Sequence, residues 1–567
     1  MIMQIDDLKK IIRKHTLANA LKYNGIANKS AVISKVISEY PEVKKYMKTL
    51  LFEMDEILSE INTLGEEKIR EELEKDFPEM FKEKEKIERD IFAFLKIDAT
   101  KPVITGFPPG PEKYPHIGHA KACLLNYLLA KKYNGKFILR FEDTNPNLVE
   151  EKFYNIMIEN FKWLGVEWDE LLYASDFMEM FYEYAEKAIL KGKAYMCFCN
   201  DEDIKLSRSE GKECIHRNQS VEENIKYWHE FPKYEEGKAI LRLKIDLNHQ
   251  NTTMRDPTIF RIIDTPHARL KNKYRIWPNY DFQNAIMDSY SKITIRLRSK
   301  EFEMRNELQR YIQEILDLTP TRTYEFARFN LEGVESSGRK IREKVNNGEL
   351  IGWDDPRLTT IVALRRRGFL PDAIKNFVIS TGITKSESTL TWDDLIIQNK
   401  RILDKIAKRF FMMYDFEKVI IHDAPYQKLK IRLHPNNEQY GFRDLEVENE
   451  FLLQKSDIKD LREGELYRLM DCLNFRKINN VFKFDSIDYD IFKREGKKIM
   501  HFLPAYGNVD VEILMNDATM IKGVAEHNIR YLKVGEIIQF ERFGFCRLDS
   551  IEKTGEKEVY KFWFTHK

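Results

Sequence analysis

A short apolar strand pattern, Pro102-Val-Ile-Thr-Gly-Phe107, runs into PPGPEKYP, then into an apolar helix pattern from His119 to Tyr133, a stop at Gly135 and a second strand pattern, KFILRFED. This β-loop-α-β unit constrains the chain more than any other stretch. Two strands joined through a crossover helix lie parallel in one sheet, with helices on its faces. Between Phe107 and His119 the connection holds four prolines, two glycines and two histidines. A Pro/Gly-rich turn before a helix presents backbone amides at the helix N-terminus, where the dipole favours an anion such as phosphate. Gly118 lets a planar ring or a phosphate approach the backbone closely. His116 and His119 can then donate to a triphosphate whose negative charge grows in the transition state. A His-x-x-His pair standing alone would read as a metal pair. Its position between a strand and a helix favours the anion.

Helix and strand signals alternate from here to about residue 385, with turns at Gly165, Gly192, Gly237 and Pro266, which is the pattern of an α/β domain around a mostly parallel sheet. Upstream, residues 1–98 read as a helical module: Ile33, Val36 and Ile37 share a helix face, and EEKIREELEKDF and FKEKEKIERD contain few β-branched residues. Downstream of about 415 the period changes to two in KVIIH, KLKIRLH, KKIMHFL, VDVEILM, EIIQFERFGFCRL and EVYKFWFTH, which predicts β-barrels. A length of 567 residues at roughly 150 per domain suits about four domains.

The 93 basic and 92 acidic side chains leave a charge of +1, which excludes a uniformly basic coat but not one basic face. No apolar run approaches the ~20 residues a bilayer span needs, and the richest, Ala122 to Ala130, is interrupted by Asn126. The N-terminal MIMQIDDLKKIIRKHTL lacks the apolar core of a signal peptide, so the expected compartment is the cytoplasm, with no membrane partner. Six cysteines are too sparse for a disulfide scaffold. Cys197-Phe-Cys199 and Cys214-Ile-His216 instead have the composition of one closed tetrahedral zinc site, which would be structural.

The segment FPPGPEKYPHIGHAKACLLNYLLAKKYNGKFILRFEDTNP resembles the nucleotide-binding half of the class I aminoacyl-tRNA synthetases, and most closely their glutamyl and glutaminyl subgroup, with its HIGH signature. FKWLGVEWDE, YEYAEKAILKGKAY, IWPNYDF and GWDDPRLTTIVALRRRGF follow in the family's order. KGVAEHNIRYLKVGEIIQFERFGFCRLD and the helical N-terminus resemble the archaeal-type glutamyl enzymes. The resemblance implies a Rossmann-type α/β catalytic core with an insertion, a helical N-terminal module and a C-terminal all-β double barrel that reads the anticodon. The expected divisions are 1–98 for the helical module, 99–194 and 281–335 for the two catalytic halves, and 195–280 for the insertion at the acceptor stem. A lysine loop and connecting helices would span 336–412, and the barrels 413–567. It further implies ATP and magnesium, L-glutamate and tRNA(Glu) as partners, tRNA(Gln) as a second candidate acceptor, and a monomer.

Carried over by position, Pro109, Gly110, His116, Gly118 and His119 would bind ATP, together with Ser337, Arg339 and Lys340 of the segment Glu335-Ser336-Ser337-Gly338-Arg339-Lys340-Ile341. His116, His119 and Lys340 would stabilise the transition state. Glu142 would take the substrate ammonium, Tyr280 and Asn284 would line the pocket, and Arg298 would pair a substrate carboxylate. Cys-rich knuckles in related insertions support zinc at Cys197, Cys199, Cys214 and His216. Acceptor-stem phosphates would rest on the insertion and on Arg365-Arg366-Arg367, while Phe540, Arg542, Phe543 and Phe545 would either stack on bases or fill barrel core.

The chain departs from the family at three places. The lysine loop lacks its first lysine and has Arg339 where a smaller residue is usual. Ser299-Lys300-Glu301-Phe302 replaces Gly-Lys-Glu-His. Gly106 stands where an arginine usually meets the substrate side chain, and a lost cation there would cost about 1.5–3 kcal/mol unless Arg298 or another cation replaces it. The alternatives are therefore activation of glutamine, or a synthetase-derived tRNA-binding protein that no longer activates an amino acid.

Overall fold

The computed structural model describes residues 5–22, 25–40, 43, 46–80, 90–98, 100–335, 337–387, 389–555 and 557–567. Two compact units result, Met1–Asp90 and Ile91–Lys567. The first consists of helices α1 (Ile5–Lys22), α2 (Lys29–Glu39), α3 (Met47–Ile61) and α4 (Glu66–Asp76). Its core comes from residues at helical spacing such as Leu8 and Ile12, Val32 and Val36, and Leu50, Met54, Ile57 and Ile61. Most of the charged FKEKEKIERD stretch, residues 81–89, lies outside the described residues. The module ends earlier than residue 98, because Phe92 and Leu95 are buried in the core of the second unit beside Val103 and Leu129.

That core is built on β1 (Ile104–Phe107), α5 (Ile117–Lys132), β2 (Lys136–Phe141), α6 (Glu151–Trp163), β3 (Glu170–Tyr173) and α7 (Met178–Leu190). The three strands are parallel, with Ile104 opposite Lys136 and Ile138 opposite Glu170. Both faces of β2 are covered, which is why KFILRF reads as nearly continuous apolar sequence. α5 is apolar on most sides for the same reason: it lies between the sheet and another helix, with Leu124, Leu125 and Leu129 all buried.

An insertion follows, holding β4 (Ala194–Cys197), α8 (Asp201–Glu210), α9 (Val221–Glu230), β5 (Ile240–Leu243), β6 (Thr258–Ile262) and β7 (Ile276–Pro278), its strands forming one antiparallel sheet in that order. The second catalytic half resumes with α10 (Tyr280–Tyr290), β8 (Ile295–Ser299), α11 (Glu303–Ile315) and β9 (Arg322–Phe326), and β8 and β9 pair in parallel. The two halves meet where Thr294 N donates to Ile104 O at 2.9 Å. Beyond that bond β1 and β8 diverge, and Asn126 of α5 takes over the role of a neighbouring strand. Its Oδ1 accepts from Leu297 N at 3.0 Å and its Nδ2 donates to Leu297 O at 2.7 Å. Such a crevice at the carboxyl ends of diverging parallel strands is where open α/β sheets bind ligands.

Helices α12 (Gly338–Asn346), α13 (Ile361–Arg367), α14 (Pro371–Thr381) and α15 (Trp392–Ile406) connect to the C-terminal part, which has two seven-stranded sheets with separate cores. β structure begins before residue 413, since Lys408–Phe410 pairs in parallel with Ile538–Phe540. EIIQFERFGFCRL is not one strand. It folds as a hairpin, Ile537–Phe540 against Gly544–Thr554, with Arg542 at φ 62° and Gly544 at φ 144° in the turn. No helix among the described residues is long and apolar enough to cross a membrane.

Candidate active site

His116 is the N-cap of α5. Its Nδ1 accepts from Gly118 N at 3.0 Å, and His119 Nδ1 accepts from His116 N at 3.2 Å, a reciprocal cap built from two imidazoles. A ring nitrogen that accepts from a backbone amide carries no proton, so each neutral ring keeps its proton on Nε2. Burial, with Lys113 and Arg328 nearby, pushes His116 down to about 3, and burial with His116 alongside holds His119 well below its usual range. Both rings are partly open to the crevice, yet at neutral pH neither is a cation. They are neutral Nε2–H donors, 4.1 Å apart between ring centroids.

The turn is held from the other side by the GWDDPRLTT segment. Ile117 N donates to Thr359 O at 3.0 Å and Ile361 N to Pro115 O at 2.8 Å, while Trp353 stacks on Tyr114 with centroids 5.3 Å apart. The segment is itself a rigid turn, because the buried Asp355 carboxylate accepts from Ile351 N at 2.9 Å and Arg357 N at 3.0 Å.

The crevice encloses about 330 Å³. Of the candidate residues, Pro109, Gly110, His116, Gly118, His119, Tyr280 and Arg298 line it. Arg298 Nη2 donates to Tyr280 Oη at 2.8 Å and Nη1 to Gln309 Oε1 at 2.8 Å, so its charge is met by neutral partners. Glu142 and Asn284 lie behind this wall. Glu142 Oε1 accepts from Arg140 Nη2 at 2.7 Å and Asn284 Nδ2 at 3.2 Å, while its buried Oε2 has no hydrogen-bond partner among the described residues. Burial raises the Glu142 carboxyl above its usual range, and Arg140 opposes that rise.

Residues not found from the sequence complete the site. Arg140 and Arg296 both reach Asp288, and Arg296, Lys113, Lys121 and Arg328 line the crevice. Lys121 Nζ donates to Ala327 O at 2.9 Å over the Phe329 ring, and burial lowers it to about 8. The available signal was charge inside an apolar strand: arginines in KFILRF and ITIRLRS have to be paired or functional.

The lysine loop does not join the crevice. Ser337 caps α12 by accepting from Lys340 N, and Lys340 Nζ lies 3.9 Å from Glu335 with about 66% of its side chain exposed. Arg339 lies on the outer face of the same helix beside Arg342, and Ser336 is outside the described residues. Lys113 occupies the inner side, so near that a Cβ on Gly338 would come within 2.8 Å of its Cδ.

The arginine triplet is largely committed to the fold. Arg366 pairs with Asp354 at 2.6 Å and Asp549 at 2.7 Å, and buried Arg367 donates to Pro356 O and Thr565 O. In the C-terminal part Phe540 and Phe545 are fully buried core, and Arg542 pairs with Asp457 at 2.6 Å.

In the insertion, Cys197, Cys199, Cys214 and His216 come together with all ligand atoms within 4.8 Å of one another. The Cys197 and Cys214 sulfurs are 3.9 Å apart, and Cys199 Sγ is 3.5 Å from His216 Nδ1. Tetrahedral zinc with bonds of about 2.3 Å separates its ligands by about 3.8 Å, so the donor set and its spacing fit that ion.

A split parallel sheet whose switch point carries an imidazole-capped helix, followed by connecting helices and all-β units, is the build of a class I aminoacyl-tRNA synthetase. Residues 102–405 match the family described as tRNA synthetases class I (E and Q), catalytic domain, and 407–489 and 484–549 match its two anti-codon binding domains. The chain belongs to this E and Q family. Glutamate–tRNA ligase of Pyrococcus furiosus is 38% identical over 98% of this chain and 99% of its own length. The enzyme of the same name from Pyrococcus abyssi is 39% identical over 98% and 99%, and that from Methanocaldococcus jannaschii 36% over 95% and 97%.

Proposed function

We propose that this chain is an ATP-dependent glutamate–tRNA ligase acting as a cytoplasmic monomer. The substrate α-carboxylate attacks the α-phosphorus of ATP and pyrophosphate leaves. A terminal adenosine hydroxyl of tRNA then attacks the adenylate carbonyl, and AMP leaves. The observation that carries this reading is one crevice in which neutral Nε2–H donors on His116 and His119 face buried arginines, with an unpartnered carboxylate oxygen of Glu142 behind its wall. Neutral donors suit charge that develops on a phosphoryl group, because they stabilise it without having to lose a proton. Glu142 Oε2 is an acceptor for the substrate ammonium, and Arg298 a donor for a carboxylate.

Lys113 and Lys340 flank the start of α12, and by resemblance to the family Lys340 would grip a leaving pyrophosphate. Magnesium accompanies the nucleotide and neutralises phosphate charge. Cys197, Cys199, Cys214 and His216 would hold zinc as a structural ion that fixes the insertion against the acceptor stem. The all-β part would read the anticodon.

Pyrophosphate exchange with glutamate or glutamine, with and without tRNA, followed by charging of purified tRNA(Glu) and tRNA(Gln), tests the reading. Exchange driven by glutamate and charging of tRNA(Glu) are expected. Exchange driven by glutamine alone would make the enzyme glutaminyl, and binding of tRNA without any exchange would make it a binding protein.

A further inference from the structure

By resemblance to the family, Gly106 stands where a pocket arginine is usual, and a side chain at this position would be tightly placed. A Cβ at this position would lie 3.1 Å from Ile293 Cδ1, 3.2 Å from Ile138 O and 3.8 Å from Arg296 Nη2. The place is filled from the neighbouring strand by Arg296. Arg296 and Arg298 are two apart on β8 and so project from the same face, and both line the crevice although only 2% and 5% exposed. Arg296 is anchored at one end only: Nη2 donates to Asp288 Oδ1, while buried Nε and Nη1 have no partner among the described residues. Arg298 Nε is likewise unpartnered.

The charges around the pocket point to the ligand. Asp281 is matched by Arg305 and Glu325 by Lys385. Two carboxylates, Glu142 and Asp288, then face three guanidinium groups, Arg140, Arg296 and Arg298, which leaves one guanidinium in excess, and buried Lys121, with its Nζ on Ala327 O, adds a further cation to the crevice. A zwitterion with a second carboxylate cancels the charge of the excess guanidinium. An amide side chain leaves that charge buried and uncompensated, which is costly.

We propose that Arg296 is the residue that selects the acidic side chain of the amino-acid substrate, a pocket arginine transposed from the position of Gly106 on β1 to β8. The proposal rests on the glutamate reading above and names the group that enforces it.

Arg296→Gln retains a hydrogen-bond donor and removes the charge. It is expected to raise KM for L-glutamate about 10- to 100-fold, the equivalent of one lost charge-assisted hydrogen bond. KM for ATP should stay within about twofold and KM for L-glutamine should not rise, so that preference for glutamate falls by the same factor. Arg140 still pairs with Asp288 in this variant, so the carboxylate is not orphaned, and Arg296→Lys, which keeps the charge at this place, should retain most of the preference for glutamate. If glutamate and glutamine parameters move together in Arg296→Gln, or its preference is unchanged, Arg296 only supports Asp288 and the proposal fails. A wild-type enzyme that does not use glutamate would instead overturn the glutamate reading itself.

Discussion

At the residue scale, chemistry depends on which form of each side chain the fold stabilises. His116 and His119 spend Nδ1 on backbone amides, so what each can offer a ligand is a neutral Nε2–H. His119→Ala is expected to lower glutamate-dependent pyrophosphate exchange at least about a hundredfold, as for removal of one oxyanion-type donor. The loss should appear in kcat with a minor change in melting, since an N-terminal cap contributes only about 1 kcal/mol. The folded state also holds His116 at about 3 against an ordinary value of 6.5. A group depressed on folding binds fewer protons in the native state, so the stability tied to its neutral form is present above about pH 6.5 and is lost as pH falls from there towards 3. The melting temperature should therefore fall between pH 7 and 5 less steeply for His116→Asn than for wild type. Parallel pH–melting curves for the two proteins would show that His116 is not held neutral.

At the scale of elements, the sequence revealed the parts whose local pattern and tertiary role agree. The β1–turn–α5–β2 unit was readable because its strands are covered on both faces and its turn is punctuated by Pro and Gly. Glu142, Tyr280 and Arg298 were singled out only by family resemblance, since no periodicity marks them. Arg140, Asp288 and Arg296 escaped because Arg140 is far in sequence from the other two, and the three meet only when β2, α10 and β8 assemble. The hairpin at 537–554 was misread as one strand because Arg542 takes a left-handed turn conformation that its residue type does not signal. Asn126, which looked like a blemish in an apolar helix, is the bridge that ends strand pairing at the switch point. Asn126→Leu would strand the buried Leu297 amide and carbonyl, a loss of about 2–4 kcal/mol, and should lower the first denaturation midpoint in urea. The Cys/His cluster is likewise local in sequence and compact in space. One zinc per chain is expected by metal analysis, and Cys214→Ser should remove it and impair tRNA charging more than exchange. A metal-free wild type with full charging would refute a structural zinc.

At the scale of the whole molecule, the near-zero charge conceals how the cations are used. Many are internal struts rather than a surface for RNA. The clearest case is α13, where Arg366 bridges Asp354 and Asp549 and packs on Trp563, while Arg367 donates to the backbone at Thr565. These contacts join the connecting helices of the catalytic domain to the long terminal hairpin of an anticodon-binding unit. A packed, ion-paired joint of this kind can couple an anticodon-binding unit to the catalytic domain. Arg366→Ala removes both ion pairs and alters no residue that lines the crevice. It should leave KM for ATP and for glutamate near wild type while reducing discrimination between tRNA(Glu) and an anticodon-altered tRNA(Glu) by about 5- to 30-fold, equivalent to about 1–2 kcal/mol of coupling. Charging kinetics with the two tRNAs measure this directly. Equal discrimination in variant and wild type would mean that Arg366 stabilises the fold without carrying information between its ends.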